Sequence, residues 1–146
     1  MTANFTLFAI DDRWLAQTPN PTWEDVTDEI MFESMSLEQS QIDWVFEHRP
    51  DALHYLTNGE LGPPGGFAAW DGTDCFMGFI TAQKTAEIAR ILATKSPEEL
   101  LREATWIEGE FFGEVSRCLK IYYPALKQFI EDASSRGRGL ACQFVN

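Results

Sequence analysis

Apolar and polar positions alternate through Asn4-Phe5-Thr6-Leu7-Phe8-Ala9-Ile10, with Phe5, Leu7 and Ala9 on one side and Phe8 and Ile10 on the other. A period of two predicts a strand. Asp11 and Asp12 end it and suit the cap of a short turn through Arg13-Trp14-Leu15. Thr18-Pro19-Asn20-Pro21 is a loop. Thr22-Trp23-Glu24-Asp25 then pairs a capping threonine with an acid three residues on, and Trp23, Val26, Ile30, Met31 and Met35 follow at spacings that predict a helix. Ser36-Leu37-Glu38-Gln39 repeats the capping pattern and predicts a second helix, with Leu37, Ile42, Val45 and Phe46 inward, ending before Pro50.

Asp51 to Leu56 predicts one more helical segment, with Pro50 at its start. Thr57 to Asp74 holds five glycines and two prolines and reads as a long loop, a length that is usually functional or disordered. Cys75-Phe76-Met77-Gly78-Phe79-Ile80 is short, apolar and strand-like. Thr81 caps a helix with Ile88, Ile91 and Leu92 inward, and Ser96-Pro97-Glu98-Glu99 starts another through Leu100 and Leu101. In the last long helix Phe111 or Phe112, Val115, Cys118, Leu119 and Tyr122 share a face. Pro124 should kink or break this helix before it resumes through Leu126, Phe129, Ile130 and Ala133 to a cap at Gly137. Leu140 to Val145 is a closing strand. The order predicts one α+β domain over residues 1–146. Its small sheet would comprise an N-terminal strand, a central strand near 75–80 and a C-terminal strand, covered by several helices.

Composition narrows the class. Hydrophobic residues make up 45% of the chain, with 11 Phe and 5 Trp, which excludes a disordered chain. No run approaches the ~20 apolar residues of a membrane span, and the N-terminus lacks a signal-peptide pattern, so a cytoplasmic protein is expected. Cys75, Cys118 and Cys142 form no CxxC and read as buried thiols rather than zinc ligands or a disulfide framework.

Charge changes the picture more. The net charge is -12, and residues 1–60 carry twelve acids against only Arg13 and Arg49. The remaining residues hold eleven acids and nine bases. Such a surface repels nucleic acid and anionic membranes and attracts basic partners. Acidity that serves solubility alone is the competing reading.

Catalytic signatures are sparse. Gly59 to Gly66 is glycine-rich but lacks the Lys-Ser/Thr of a phosphate loop and no GxGxxG opens a helix. His48 and His54 stand six apart without HExxH, so no metal and no cofactor is expected. Asp71 and Asp74 beside Trp70 have the chemistry to hold a sugar or a cation. Cys75 or Cys118 with His54 is formally a nucleophile pair, yet both cysteines stand at apolar positions. His54, among Leu53, Tyr55 and Leu56, reads as a mostly buried, hydrogen-bonded residue anchoring the start of the long loop. Arg136 and Arg138 flank Gly137, where cations suit a helix C-terminus.

The run Asp51-Ala52-Leu53-His54-Tyr55-Leu56-Thr57-Asn58-Gly59 resembles the Leu-His-Tyr-Leu-Leu-Thr-Gly segment of the YfbM-like family of bacterial proteins, domain-of-unknown-function family 1877. The resemblance continues through Gly78 to Ala89, Ser96 to Leu101, and Tyr123 to Ala133 with Gly137 and the last strand. It spans about residues 50–146. The acidic segment before it departs from the family's pattern. The resemblance implies an α+β fold and no established reaction. Small acidic members of such families resemble immunity proteins that neutralise toxins.

The expected function is therefore non-catalytic binding of a basic protein, such as a nuclease toxin, with no nucleic acid or membrane partner. The expected partner-binding acids are Glu24, Asp25, Asp28, Glu29, Glu33, Asp43 and Glu47. The alternative is a small enzyme or small-molecule binder using the 57–74 loop, with His54, Trp70, Asp71 and Asp74 lining a pocket and Trp70 as a stacking platform.

Overall fold

A computed structural model describes residues 4–37 and 42–145. The alternating N-terminal segment forms strand β1 (Asn4–Ile10), with Phe5, Leu7 and Ala9 buried on one face and Ile10, with the half-buried Phe8, on the other. It pairs antiparallel with β2 (Met31–Leu37) and with the closing strand β4 (Gly139–Val145). β4 in turn pairs antiparallel with β3 (Cys75–Ile80), giving a four-stranded sheet of order β2-β1-β4-β3. The fold is α+β, as expected.

Two features of the sheet differ from the expectation. Only a 3₁₀ turn, Trp23–Asp25, forms where a helix was expected, and β2 takes up Met31 and Met35. Those methionines fit helical spacing, but Met35 and Leu37 also alternate with Ser34 and Ser36. Strand pairing sets Met35 opposite Leu7 and Leu37 opposite Phe5, so cross-strand apolar contacts override the helical pattern. A bulge places both Phe32 and Glu33 opposite Ala9. Second, β3 lies at the sheet edge, where Leu61 covers part of it through backbone bonds with Phe79 of 2.8 Å in each direction.

Helix starts follow the sequence signals. Asp11 caps α1 (Asp12–Ala16), accepting from the Arg13 N–H at 2.9 Å. The second expected helix shrinks to α2 (Ile42–Phe46), and Glu38 and Gln39 of its capping pattern lie outside the described residues. Asp51 caps a 3₁₀ turn, Ala52–His54, that runs into α3 (Tyr55–Asn58). Thr81 caps α4 (Ala82–Ala93), and Ser96 with Glu99 forms the capping box of α5 (Pro97–Glu103). The last helix, α6 (Gly109–Ser135), does not break at Pro124. Proline in a helix interior costs about 3 kcal/mol. Here Tyr122, Tyr123, Leu126 and Ile130 bury the helix on both sides of it. The C-terminus closes as a Schellman motif: Gly137, at φ 68°, donates to Ser134 and Arg138 donates to Ala133.

Helices α2 to α6 cover one face of the sheet around Phe5, Leu7, Phe76, Ile80, Leu140 and Phe144. The other face carries a thinner layer, in which Trp14 and Leu15 of α1 and Val26 pack on Ile10, Met77 and Phe79. On the helical side Arg49, only 7% exposed, ties the chain before α3 to α5. It donates to Asp51 at 3.1 and 2.7 Å and to Glu103 at 3.0 Å. At the start of the long loop Gly59 presses on Gly78 of β3: a Cβ on Gly59 would lie 2.6 Å from the Gly78 Cα. Among the described residues no helix is long and apolar enough to cross a membrane.

Candidate functional site

The seven acids expected to form one face are divided between the two layers of the fold. Glu24, Asp25, Asp28 and Glu29 are exposed on the connection between α1 and β2, whose Val26 packs in the thin layer. Asp25 holds this connection in shape, its carboxylate accepting from the Thr22 N–H and O–H at 3.0 Å each. Trp23 beside them is 49% exposed. Glu33, on the β2 bulge, meets Arg136 and Arg138 at 2.6 Å each. The Arg138 hydrogen bond holds its carboxyl below the usual range. Arg138 also lies over the Phe32 ring at 3.7 Å. Asp43 and Glu47 belong to α2 and the residue after it, on the thick helical side.

Asp43 sits apart from the other six in chemistry. Helix α2 buries Ile42, Val45 and Phe46, and this packing draws the neighbouring carboxylate inward. Burial pushes the Asp43 carboxyl up to about 6, with the Glu47 charge adding to the rise. Its Oδ1 is buried without a hydrogen-bond partner, and so is the Tyr122 hydroxyl on α6. Burial drives the Tyr122 phenol strongly upward, and Cys118 and Asp43 add to the rise. Val115, Cys118 and Tyr122 lie on the same face of α6 as Phe111. The Phe111 ring meets Trp44 of α2 edge-on at 4.8 Å. Trp106 donates its indole N–H to the Trp44 carbonyl at 2.6 Å, and His48 lies edge-on to Trp106 at 6.0 Å. Sequence reasoning placed Tyr122 in the core and missed its unpaired hydroxyl. No signal in the sequence marked it, since Asp43 falls between the inward Ile42 and Val45 and reads as a surface acid.

The expected pocket is only partly assembled. An open cleft of about 450 Å³ is lined by His54, Asn58, Gly59, Glu60, Leu61 and the turn to Gly66. Trp70, Asp71 and Asp74 do not line it. Trp70 packs on Phe67 and Phe76 and donates its indole N–H to the Thr73 carbonyl at 2.7 Å. Asp71 accepts from the Thr73 N–H and O–H at 2.9 and 2.7 Å, closing a local turn. Asp74 follows in left-handed conformation at φ 57°. His54 is half-buried rather than mostly buried, and its Nδ1 lies 2.7 Å from the Asp51 carbonyl oxygen. A carbonyl only accepts, so Nδ1 carries a proton, and it is the neutral ring of this tautomer that offers Nε2 as an acceptor. The loop itself is held by Asn58, which donates to the carbonyls of Glu47 and His54 at 3.3 and 3.2 Å, and by Glu60. The Glu60 Oε1 accepts from the Thr81 N–H at 3.0 Å and hydroxyl at 2.8 Å.

No cluster of three or more His, Cys, Asp or Glu placed to hold a metal occurs among the described residues. Cys118 and Cys142 are buried and Cys75 half-buried, none in a disulfide. Burial raises all three thiols, Cys142 to about 12. A thiol held protonated is a poor nucleophile.

No family model and no curated protein matches the chain. Among solved structures it is similar to the crystal structure of YfbM, a protein of unknown function from Escherichia coli. The TM-score is 0.59 at 11% sequence identity, covering 98% of this chain and 99% of that one. The likeness is one of fold.

Proposed function

We propose that the chain is a non-catalytic cytoplasmic binding protein whose acidic surface engages a basic protein. In its more specific form, this reading makes it an immunity protein that neutralises a toxin. The observation that carries it is the segment 22–29. There Trp23, 49% exposed, stands among the exposed carboxylates of Glu24, Asp25, Asp28 and Glu29. Tryptophan is one of the residue types enriched at the energetic centre of interfaces. Carboxylates around it steer a basic partner and set a fast, salt-sensitive association rate. The raised thiols of Cys75, Cys118 and Cys142 favour binding over cysteine chemistry. The test is capture of a partner from native lysate, with the product of the neighbouring gene as first candidate. Binding should weaken as salt rises and when Glu24, Asp25, Asp28 and Glu29 are neutralised together. Binding indifferent to both changes removes the charge argument.

A second reading, small-molecule binding, is favoured by the cleft that His54 and Glu60 line. The fixed Nδ1 proton leaves an imidazole acceptor for a ligand's donor. A fragment screen by NMR, followed on the His54 ring signals, tests it. Shifts elsewhere but none at His54 would remove this reading.

A further inference from the structure

Helix α6 gives way to β4 across Arg136-Gly137-Arg138, where the Schellman turn reverses the chain. Pairing of Gly139 with Ile10 sets that turn beside the end of β1 and the start of α1. The β2 bulge brings Phe32 and Glu33 to the same corner, opposite Ala9. Together these pieces of chain form an open cleft of about 450 Å³, lined by Asp11, Asp12, Arg13, Phe32, Arg136 and Arg138. At its side Glu33 accepts from Arg136 and from Arg138, each at 2.6 Å, and the Arg138 guanidinium lies 3.7 Å from the centre of the Phe32 ring. The two aspartates turn to backbone donors: Asp11 accepts from the Arg13 N–H at 2.9 Å and Asp12 from the Ala82 N–H at 2.8 Å. Arg13 is exposed and joins no ion pair among the described residues. Glu33 takes one N–H from each of its two arginines. The Arg136 side chain is 54% exposed, so donors remain on it for a second acceptor.

We propose that this cleft binds a small ligand in which an oxyanion, a carboxylate or a phosphate, is joined to a flat apolar body. Arg136 and Arg13 receive the oxyanion, and the flat body packs on the Phe32–Arg138 stack. Guanidinium groups suit this task because their planar forks match both oxyanions. Phe32, 48% exposed, supplies the apolar surface. The volume is that of a small-molecule site and exceeds what a bare ion fills. Glu33 is a resident competitor: its carboxylate already occupies Arg136 and Arg138 as the ligand's would, and it gives up part of Arg136 on binding. The rest of the chain selects by size. Its net charge of -12 repels a polyanion at long range, whereas a small anion at the cleft is screened from most of that field. The site is separate from segment 22–29 and from the cleft of His54 and Glu60, and it depends on neither of those readings.

The test titrates the full chain, in a buffer free of oxyanions, with phenyl phosphate, benzoate, inorganic phosphate and benzyl alcohol. The arginine Nε–Hε signals are followed by heteronuclear NMR. Phenyl phosphate or benzoate should shift the Arg13 and Arg136 signals, and the tighter of the two identifies the oxyanion and serves for the variants. Benzyl alcohol, which has the ring without the charge, should leave them in place. Inorganic phosphate should bind about fivefold more weakly than phenyl phosphate, for want of the Phe32 contact. Arg136→Gln should weaken the aromatic anion about tenfold, and Glu33→Gln, which removes the competitor, should tighten it about tenfold. Both side chains are exposed, and exposed ion pairs add little to stability, so circular dichroism should show both variants folded. Arginine signals unmoved by either aromatic anion in Glu33→Gln overturn the proposal. So does binding that Glu33→Gln leaves unchanged, or inorganic phosphate matching phenyl phosphate. A single-stranded oligonucleotide that displaces the aromatic anion would assign the corner to a polyanion and overturn it as well.

Discussion

Gly59→Ala should be among the most damaging single-methyl additions in this chain. Gly59 adopts φ 74° and ψ 151°, a region essentially reserved for glycine, where an L side chain costs about 1–3 kcal/mol. Its new Cβ would also lie 2.6 Å from the Gly78 Cα, 3.0 Å from the Leu61 carbonyl oxygen and 3.0 Å from the Phe79 nitrogen. All three are backbone atoms, so no side chain can rotate away. Relief requires the loop to lift off β3, breaking the two 2.8 Å Leu61–Phe79 bonds at about 1 kcal/mol each. The expected loss is about 3–5 kcal/mol, a large part of a typical domain's stability. Urea unfolding followed by tryptophan fluorescence measures it. Two variants separate strain from overlap. Gly72→Ala shares a positive φ, 84°, but meets nothing within 4 Å, and should cost about 1–2 kcal/mol. Gly78→Ala has no positive φ but meets the Gly59 Cα at 2.7 Å, so it should resemble Gly59→Ala. If Gly59→Ala costs no more than Gly72→Ala, the close approach is not what demands glycine here.

Asp43→Asn should stabilise the protein above neutrality. The folded carboxyl titrates at about 6 against about 4 unfolded. The folded state therefore keeps a proton that the unfolded chain has released, and stability falls as pH rises from 4 to 6. The variant should gain up to about 3 kcal/mol at pH 7.5 and nothing below pH 4, read from urea midpoints across pH; a pH-independent difference would refute the buried-carboxylate account. Arg49→Ala removes three hydrogen bonds to Asp51 and Glu103 and should cost about 2–4 kcal/mol, less than a fully buried pair because both carboxylates retain solvent. Lysine should not rescue it, since it lacks the planar fork. Gly113→Ala, in open space within α6, should raise stability by about 0.5–1 kcal/mol, and a thermal melt showing a loss would mean this turn is not helical in solution.

Local chemistry was legible wherever a short segment decides its own structure. The Ser96-Pro97-Glu98-Glu99 start, the Thr81 cap and the Gly137 stop all lie where sequence reasoning placed them. It misread Met31 to Leu37 because Met31 and Met35 fit a helical spacing while Met35 and Leu37 fit a strand's alternation, and only pairing with β1 decides between them. It expected a kink or a break at Pro124, and the helix does not break there: a lost hydrogen bond is local, whereas the packing of Tyr122, Tyr123 and Leu126 that offsets it is not. For the candidate sites, the charge excess of the first 60 residues was readable, but its division over two layers depends on which face each connection packs against. His54 could be placed beside the loop, but not separated from Trp70, Asp71 and Asp74, because loop closure is set by Asp71 with Thr73 and by Glu60 with Thr81.

Strand β4 is flanked by β1 on one side and β3 on the other, and pairs Val145 with Asn4. On a ribosome, β1 and β2 can meet early, but β3 has no sheet neighbour until Gly139–Val145 emerges. The pairing that joins the two halves also closes most of the chain into one loop, an entropic step that slows β-rich nuclei. Formation of the sheet is thus gated by its last strand, and a nascent chain halted before Gly139 would present two unpaired edges, of β1 and of β3, to anything able to add a strand.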